Sequence, residues 1–342
     1  MINTTRQARR IAGGIGLLVL GALLAGGCAN SEPPKPKERY QNIGERQVPA
    51  YMKGTILERA DWEADYMIPA VVSNFGLVVD LPGTGGNTGL PTRIRDYMLD
   101  EMSRRGFGSV SAGEYYRRMT PERILDDPHK SSSVVSVMGM IPPGAREGQP
   151  MDLVVEANPD TDTTSLAGGR LFRVDLKLRG ANEVSPRAAV TSFAVGEGDV
   201  FVNPMSGNAR RGSVLGRAFV LQDRPIVLRM RTPDYKWARL IENRINVAFP
   251  KTLQVGTQKA QAFDEGRVQV FVPREMVDDY EHFAGVIMHL FLDPRVEFRA
   301  AKAMELVEEA QKPGAPLLDI SFCWEGLGKP ALDYIPKLYN HP

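Results

Sequence analysis

Gly76-Leu77-Val78-Val79-Asp80-Leu81-Pro82-Gly83-Thr84-Gly85-Gly86-Asn87-Thr88-Gly89 is the stretch around which the rest of this chain is arranged. Its apolar, β-branched opening predicts a strand, the glycines that follow predict a turn, and the periodic segment from Thr92 predicts a helix. Strand, glycine loop and helix in that order could cradle a phosphate, because backbone N–H groups at a helix start bind anions. The residues such chemistry needs are missing. Neither Gly-Lys-Ser nor Gly-Lys-Thr occurs, and Thr88 stands where Gly83 and Gly85 would require the third glycine of a dinucleotide fingerprint. The expectation is a tight turn whose glycines adopt positive φ.

Working outward, residues 92–105 read as an amphipathic helix with Ile94, Tyr97, Met98 and Met102 on one side and Gly106 as its stop. The methionines read as a core face rather than a cofactor box. Downstream, residues 133–141, 151–157, 188–195, 199–202, 217–220, 225–230 and 266–272 read as short strands. Residues 171–178 alternate apolar with charged, which marks a strand with one wet face. A polar loop is expected at 161–169 and a flexible one at 207–212, the latter carrying Arg210-Arg211. Thr232-Pro233-Asp234 opens a helix, with Thr232 as the expected N-cap and Pro233 in its first turn. The fold class expected is α+β, rich in short strands with a few packed helices.

Residues 278–292 and 296–310 read as two helices broken at Asp293-Pro294, with Ala300, Ala301, Ala303 and Leu306 as a small-residue face. Leu338-Tyr339-Asn340-His341-Pro342 echoes Leu290-Phe291-Leu292-Asp293-Pro294. That echo predicts a second helical hairpin in a HEAT-like array, cut off before its partner helix.

The N-terminus reads as an address. Arg6, Arg9 and Arg10 precede a short apolar run and the small residues before Cys28, the layout of a secretory signal over 1–27. Leu24-Ala25-Gly26-Gly27-Cys28 resembles a bacterial lipobox, which makes Cys28 a lipidation candidate and a means of anchoring the chain to a membrane. Residues 28–50, rich in Pro, Lys, Glu and Ser, read as a flexible tether. The expected domains are then an α+β region over 51–275, with room for two subdomains, and a helical tail over 276–342.

With 342 residues and a formal net charge of +1, the chain has no global basic field and no nucleic-acid partner is expected. Two cysteines and four histidines leave little from which to build a zinc site. Asp126-Asp127 and Asp278-Asp279 are sequence neighbours and diverge on any regular element. His282 and His289 are too widely spaced for a zinc helix, and no Gly-x-Ser-x-Gly elbow occurs. Cys323 reads as a small buried residue. No catalytic, cofactor or metal residues are expected, and the chain does not read as an enzyme.

Several blocks, taken in order, resemble the bacterial flagellar P-ring protein family. They are Gly76-Leu77-Val78-Val79 running into Gly83-Thr84-Gly85; Val134 to Met138 followed by Ile141-Pro142-Pro143-Gly144; and Ser165-Leu166-Ala167-Gly168-Gly169-Arg170-Leu171. Thr232-Pro233-Asp234-Tyr235 with Ile245-Asn246, and Gly266 to Pro273, complete the set. Asp80 departs from a glycine of the first signature, residues 115–130 have no counterpart, and the helical tail after Asp278 departs from the family's usual C-terminus. The resemblance implies a structural component of the flagellar basal body, many copies forming a periplasmic ring around the rod as a bushing. It implies contact with the outer-membrane L-ring and with peptidoglycan. Gly83, Thr84, Gly85, Gly86 and Asn87 are then a candidate subunit-contact loop, and Arg210 and Arg211 a candidate peptidoglycan or partner contact. A non-flagellar envelope lipoprotein that keeps this fold and holds a partner through its helices is the alternative.

Overall fold

The computed structural model describes residues 40–107, 120–179, 191–249 and 259–338, so Cys28 and the signal lie outside the described residues. In chain order the elements are β1 (Ala60–Trp62), α1 (Ala64–Met67), β2 (Ala70–Val79), α2 (Thr92–Arg104) and α3 (Pro121–Leu125). Then come β3 (Ser133–Ile141), β4 (Pro150–Ala157), β5 (Arg170–Leu178), β6 (Ala194–Asp199), β7 (Arg211–Val220) and β8 (Ile226–Met230). The chain continues through α4 (Tyr235–Ala248), β9 (Ala260–Ala262), β10 (Arg267–Val270), α5 (Tyr280–Met288), α6 (Val296–Ala310) and α7 (Leu317–Leu327). The α+β expectation holds.

Six of the strands close on themselves in the order β2-β3-β4-β7-β6-β5, every pair antiparallel, with β2 paired to both β3 and β5. Alternation supplies the filling: Val135 and Val137 on β3, Leu153 and Val155 on β4, and Val174 and Leu176 on β5 are buried inside. A barrel this narrow has no room for large side chains on every strand. A Cβ on Gly139 would stand 2.3 Å from the Met151 methyl, and one on Gly196 2.4 Å from a Leu153 methyl. β5 does not keep one period throughout. Its pairing with β6 shifts between Leu171 and Val174, so Leu171 is buried in the barrel while Phe172 turns outward onto Phe107. That irregularity is a bulge-like feature. Outside the barrel, Leu77, Val79 and Val134 pack under Met98 and Met102 of α2 and Ile124 and Leu125 of α3, so the methionine stripe is a core face as expected.

The second body is a four-stranded antiparallel sheet in the order β1-β8-β10-β9. Register puts Ala60, Ile226, Leu228, Met230, Val268, Val270 and Ala260 on one face. That face is sealed by Ala238, Ile241 and Ile245 of α4 and by Phe283, Ala284 and Ile287 of α5. β1 precedes the barrel and β8 follows it, so the whole barrel is inserted between two neighbouring strands of this sheet. Arg244 on α4 donates from Nε to Phe291 O (2.7 Å) and from Nη2 to Gly326 O (3.1 Å), fastening the sheet's helix to the chain beyond α5 and to α7.

Several expectations change here. A core that joins α5 to the sheet runs across the boundary read at 275/276. Where the echo predicts the first helix of a second hairpin, the described residues are not α-helical: residues 335–338 are a 3₁₀ turn, and Pro336 removes a donor that an α-helix would use there. The helix that does pack against α6 is α7, which was not read from the sequence. The helix expected at 278–292 is α-helical only over Tyr280–Met288, after a 3₁₀ stretch at Arg274–Asp279. Asp234, not Thr232, caps α4, accepting from Lys236 N at 2.8 Å, while the Thr232 hydroxyl is 3.1 Å from the side chain of Asn42. β6 covers 194–199 rather than two flanking pieces, and the loop expected at 207–212 ends where β7 begins at Arg211. The end of the expected tether is fixed: Tyr40 donates to Asp264 (2.5 Å) and Ile43 N to Arg231 O (2.9 Å). Among the described residues no helix is long and apolar enough to cross a membrane.

Candidate functional site

The glycine loop leaves β2 at one end of the barrel and is knotted there into two other loops. Gly85 N donates to Lys130 O and Gly86 N to Ser132 O, both at 2.9 Å, while Thr88 N reaches the Asp162 carboxylate at 3.1 Å. Gly83 N turns back to Leu81 O (2.9 Å). From the other side, Thr164 N donates to Thr84 O (2.8 Å), and the hydroxyls of Thr84 and Thr163 donate to Ser165 O and Gly86 O. Donors that would cradle a phosphate are spent on the chain itself. Gly85, Gly86 and Asn87 are buried; of the stretch 82–89, Pro82, Gly83, Thr88 and Gly89 are exposed. Lys130 bonds Asp162 (2.8 Å) and holds that carboxyl below its usual range. Because the folded value is depressed, this anchoring is complete above the ordinary carboxylate pKa and is lost as pH falls through the folded one.

Asn87 is the centre of the knot. Its Oδ1 accepts from Val134 N (2.7 Å), and its Nδ2 donates to Leu125 O (3.1 Å) and Ser132 Oγ (3.3 Å). One buried amide thus joins the loop, β3 and α3. Asn87→Ala leaves a buried N–H and a buried C=O without partners, and a loss of about 2–3 kcal/mol in urea unfolding is expected. Sequence reading could not find the partners Ser132, Thr163 and Asp162, since no local signal links residues so far apart in the chain.

The remaining candidates are scattered. Arg210 and Arg211 lie side by side in sequence but serve different ends. Arg210 is half-buried, and its Nη2 donates to Asn158 O (2.6 Å) and Thr161 O (3.2 Å). Arg211 is exposed at the rim of a hollow of about 500 Å³ with Phe201, Asn203, Ser206 and Asn208. His282 pairs with Glu325 (2.9 Å), whereas His289 Nδ1 lies 2.7 Å from Gly285 O. Asp126 pairs with Arg95 (2.6 Å), and Asp127 accepts from His129 N (3.0 Å). Burial pushes the Cys323 thiol up to about 12, so it is an inert packing group. No group of three or more metal-ligating side chains occurs among the described residues.

A sequence model of the flagellar P-ring protein family matches residues 70–301, a span that takes in the barrel, α4, β8 to β10 and α5 together. The chain belongs to the flagellar P-ring protein family. The flagellar P-ring protein of Thermotoga maritima is 30% identical over 239 residues, 66% of this chain and 63% of that one. Those of Pseudoalteromonas translucida (27% over 232 residues, 61% and 55%) and Geotalea uraniireducens (28% over 247 residues, 66% and 58%) are similar in the same way. The matched region therefore spans less than two thirds of these relatives. Asp80, read from the sequence as departing from a glycine, sits at φ +63° and is exposed, a conformation glycine adopts without a Cβ penalty. Asp80→Gly is expected to raise stability by about 0.5 kcal/mol, and Asp80→Val to lower it by about 2 kcal/mol, in paired urea titrations.

Proposed function

We propose that this chain is a non-enzymatic structural subunit of the flagellar basal body, assembling as a periplasmic ring of identical copies around the rod. The observation that carries the reading is the family match over 70–301, which covers the barrel and most of the second core. The internally spent glycine loop accords with it, because a bushing needs stiffness rather than a reactive centre. A ring needs a heterologous contact whose rotation closes. The closed barrel offers no strand edge for that contact; strand edges occur only at β1 and β9 of the four-stranded sheet among the described residues. The exposed part of the glycine loop and Arg211 are candidate contacts, Arg211 toward peptidoglycan or a partner carboxylate. The outer-membrane L-ring and the rod are the remaining partners, and Cys28 is the proposed acyl site.

Isolated basal bodies probed by mass spectrometry test this reading. Enrichment of the chain with rod and ring proteins is expected; its absence from intact basal bodies, with abundance elsewhere in the envelope, would favour the non-flagellar scaffold. Cys28→Ala is expected to move the chain from the membrane pellet to the soluble periplasmic fraction. Unchanged pelleting would remove the lipid anchor from the proposal.

A further inference from the structure

We infer that copies of this chain meet head to tail, the 203–211 loop of one entering a cleft beside Tyr51 and His289 of the next. The inference rests on the ring reading and names its contact. Two dissimilar patches, one on the barrel and one on the second body, support it.

The first patch is a knob. One end of the barrel is bound to the second body: Arg224 Nη2 donates to Ile68 O (2.7 Å), and a Cβ on Gly144 would touch Val272 at 2.2 Å. The 203–211 loop stands at the other end, among the glycine-loop knot. Met205 is 90% exposed, more than any other large apolar side chain among the described residues, and Phe201 beside it is 56% exposed. The loop is pre-shaped rather than slack: Asn203 Oδ1 accepts from Met205 N (2.9 Å), Ser206 Oγ donates to Asn203 O (2.8 Å), and Arg210 pins its end to Asn158. No acidic residue lies between 200 and 213, and Arg211 projects from it.

The second patch is a hole. A cleft of about 670 Å³ opens between the 46–52 segment, β1 and α5, with Tyr51, Trp62 and Met288 in its walls. Arg46 lines it too, with its guanidinium taken up by Asp61, while Glu281 and Asp319, also in the lining, pair with no Arg or Lys among the described residues. The His289 side chain, 8% exposed, belongs to the same lining; its Nε2 has no hydrogen-bond partner and lies 3.9 Å from Asp319 Oδ1. An apolar cleft with unpaired carboxylates calls for a thioether or aromatic anchor next to a cation. Met205 with Arg211 is such a pair. The knob is on the barrel end away from the second body and the hole is in the second body, so a second copy is needed to bring them together, and the contact is heterologous.

The test uses the full chain in a Cys28→Ser background, with assembly followed by light scattering and the fold by circular dichroism. Met205→Cys with Glu281→Cys is expected to give a ladder of disulfide-linked multimers on oxidation. Arg211→Glu is expected to raise the concentration for half-assembly about tenfold, and adding Asp319→Arg to restore it. Assembly without the ladder and indifferent to Arg211→Glu overturns the contact and leaves the ring standing. A ladder that stops at a dimer overturns the head-to-tail geometry. A folded parent that stays monomeric at every concentration overturns the ring reading and this contact with it.

Discussion

Gly85→Val is expected to destabilise the chain by about 4 kcal/mol, a large share of the stability of an ordinary domain. A Cβ at this position would lie 2.3 Å from Ser132 O and 2.7 Å from Lys130 O, both backbone atoms that no rotamer change can move aside. Those same carbonyls accept the hydrogen bonds of Gly86 N and Gly85 N. Relief of the collision therefore breaks the bonds that hold the loop, and buried donors lose their partners. Gly83→Ala supplies the contrast: its Cβ would meet His129 O at an ordinary 3.7 Å, and only the positive φ of +80° opposes it, at a cost of about 1 kcal/mol. Equilibrium urea unfolding of the three proteins decides the matter. A Gly85→Val variant within half a kcal/mol of the parent would mean that the knot is looser than described.

Phe283→Ala is the second large effect, about 3–5 kcal/mol for an aromatic ring removed from a fully enclosed site. Phe283 is 0% exposed on α5 and packs edge-on to Phe249 with ring centroids 4.9 Å apart. It shares a core with Leu228 and Val270 of the sheet, so α5 is a wall of that sheet and not an appendage. Trp62, Trp237 and Trp324 all lie outside the barrel, which makes tryptophan emission a reporter of this half alone. The emission transition should move to lower urea by the full loss. A variant whose emission transition stays put, with only helical circular dichroism reduced, would restore the separate helical tail.

The strands and helices with a clean period were legible from their residues. Ser133 to Ile141 and Val296 to Ala310 have the bounds that an apolar run closed by Pro142 and helical spacing assign them. What escaped was set by partners far along the chain. Ala60-Asp61-Trp62 is too short to show a period and becomes a strand only because β8 lies beside it. α7 begins after Pro316 with no side-chain cap, and Leu317, Leu318, Ile320, Phe322 and Leu327 put apolar groups all around it, so no stripe marks it. The glycine loop was legible as a turn. Its role as the lock on the barrel end was not, because Asn87 finds Val134 and Leu125 only once β3 has folded back along β2.

Insertion of the barrel between β1 and β8 also imposes an order of events on a chain made from its N-terminus. β2 to β7 form a contiguous run and can close as soon as Val220 is available. Trp62, by contrast, must wait for Leu228, and Ile56 for the carbonyl of Leu290. A half-made chain is therefore a finished barrel trailing a sticky, unpaired leader of Tyr51, Met52 and Ile56. During that interval the nascent chain is most exposed to aggregation and proteolysis, and long-range pairing makes the interval slow to end.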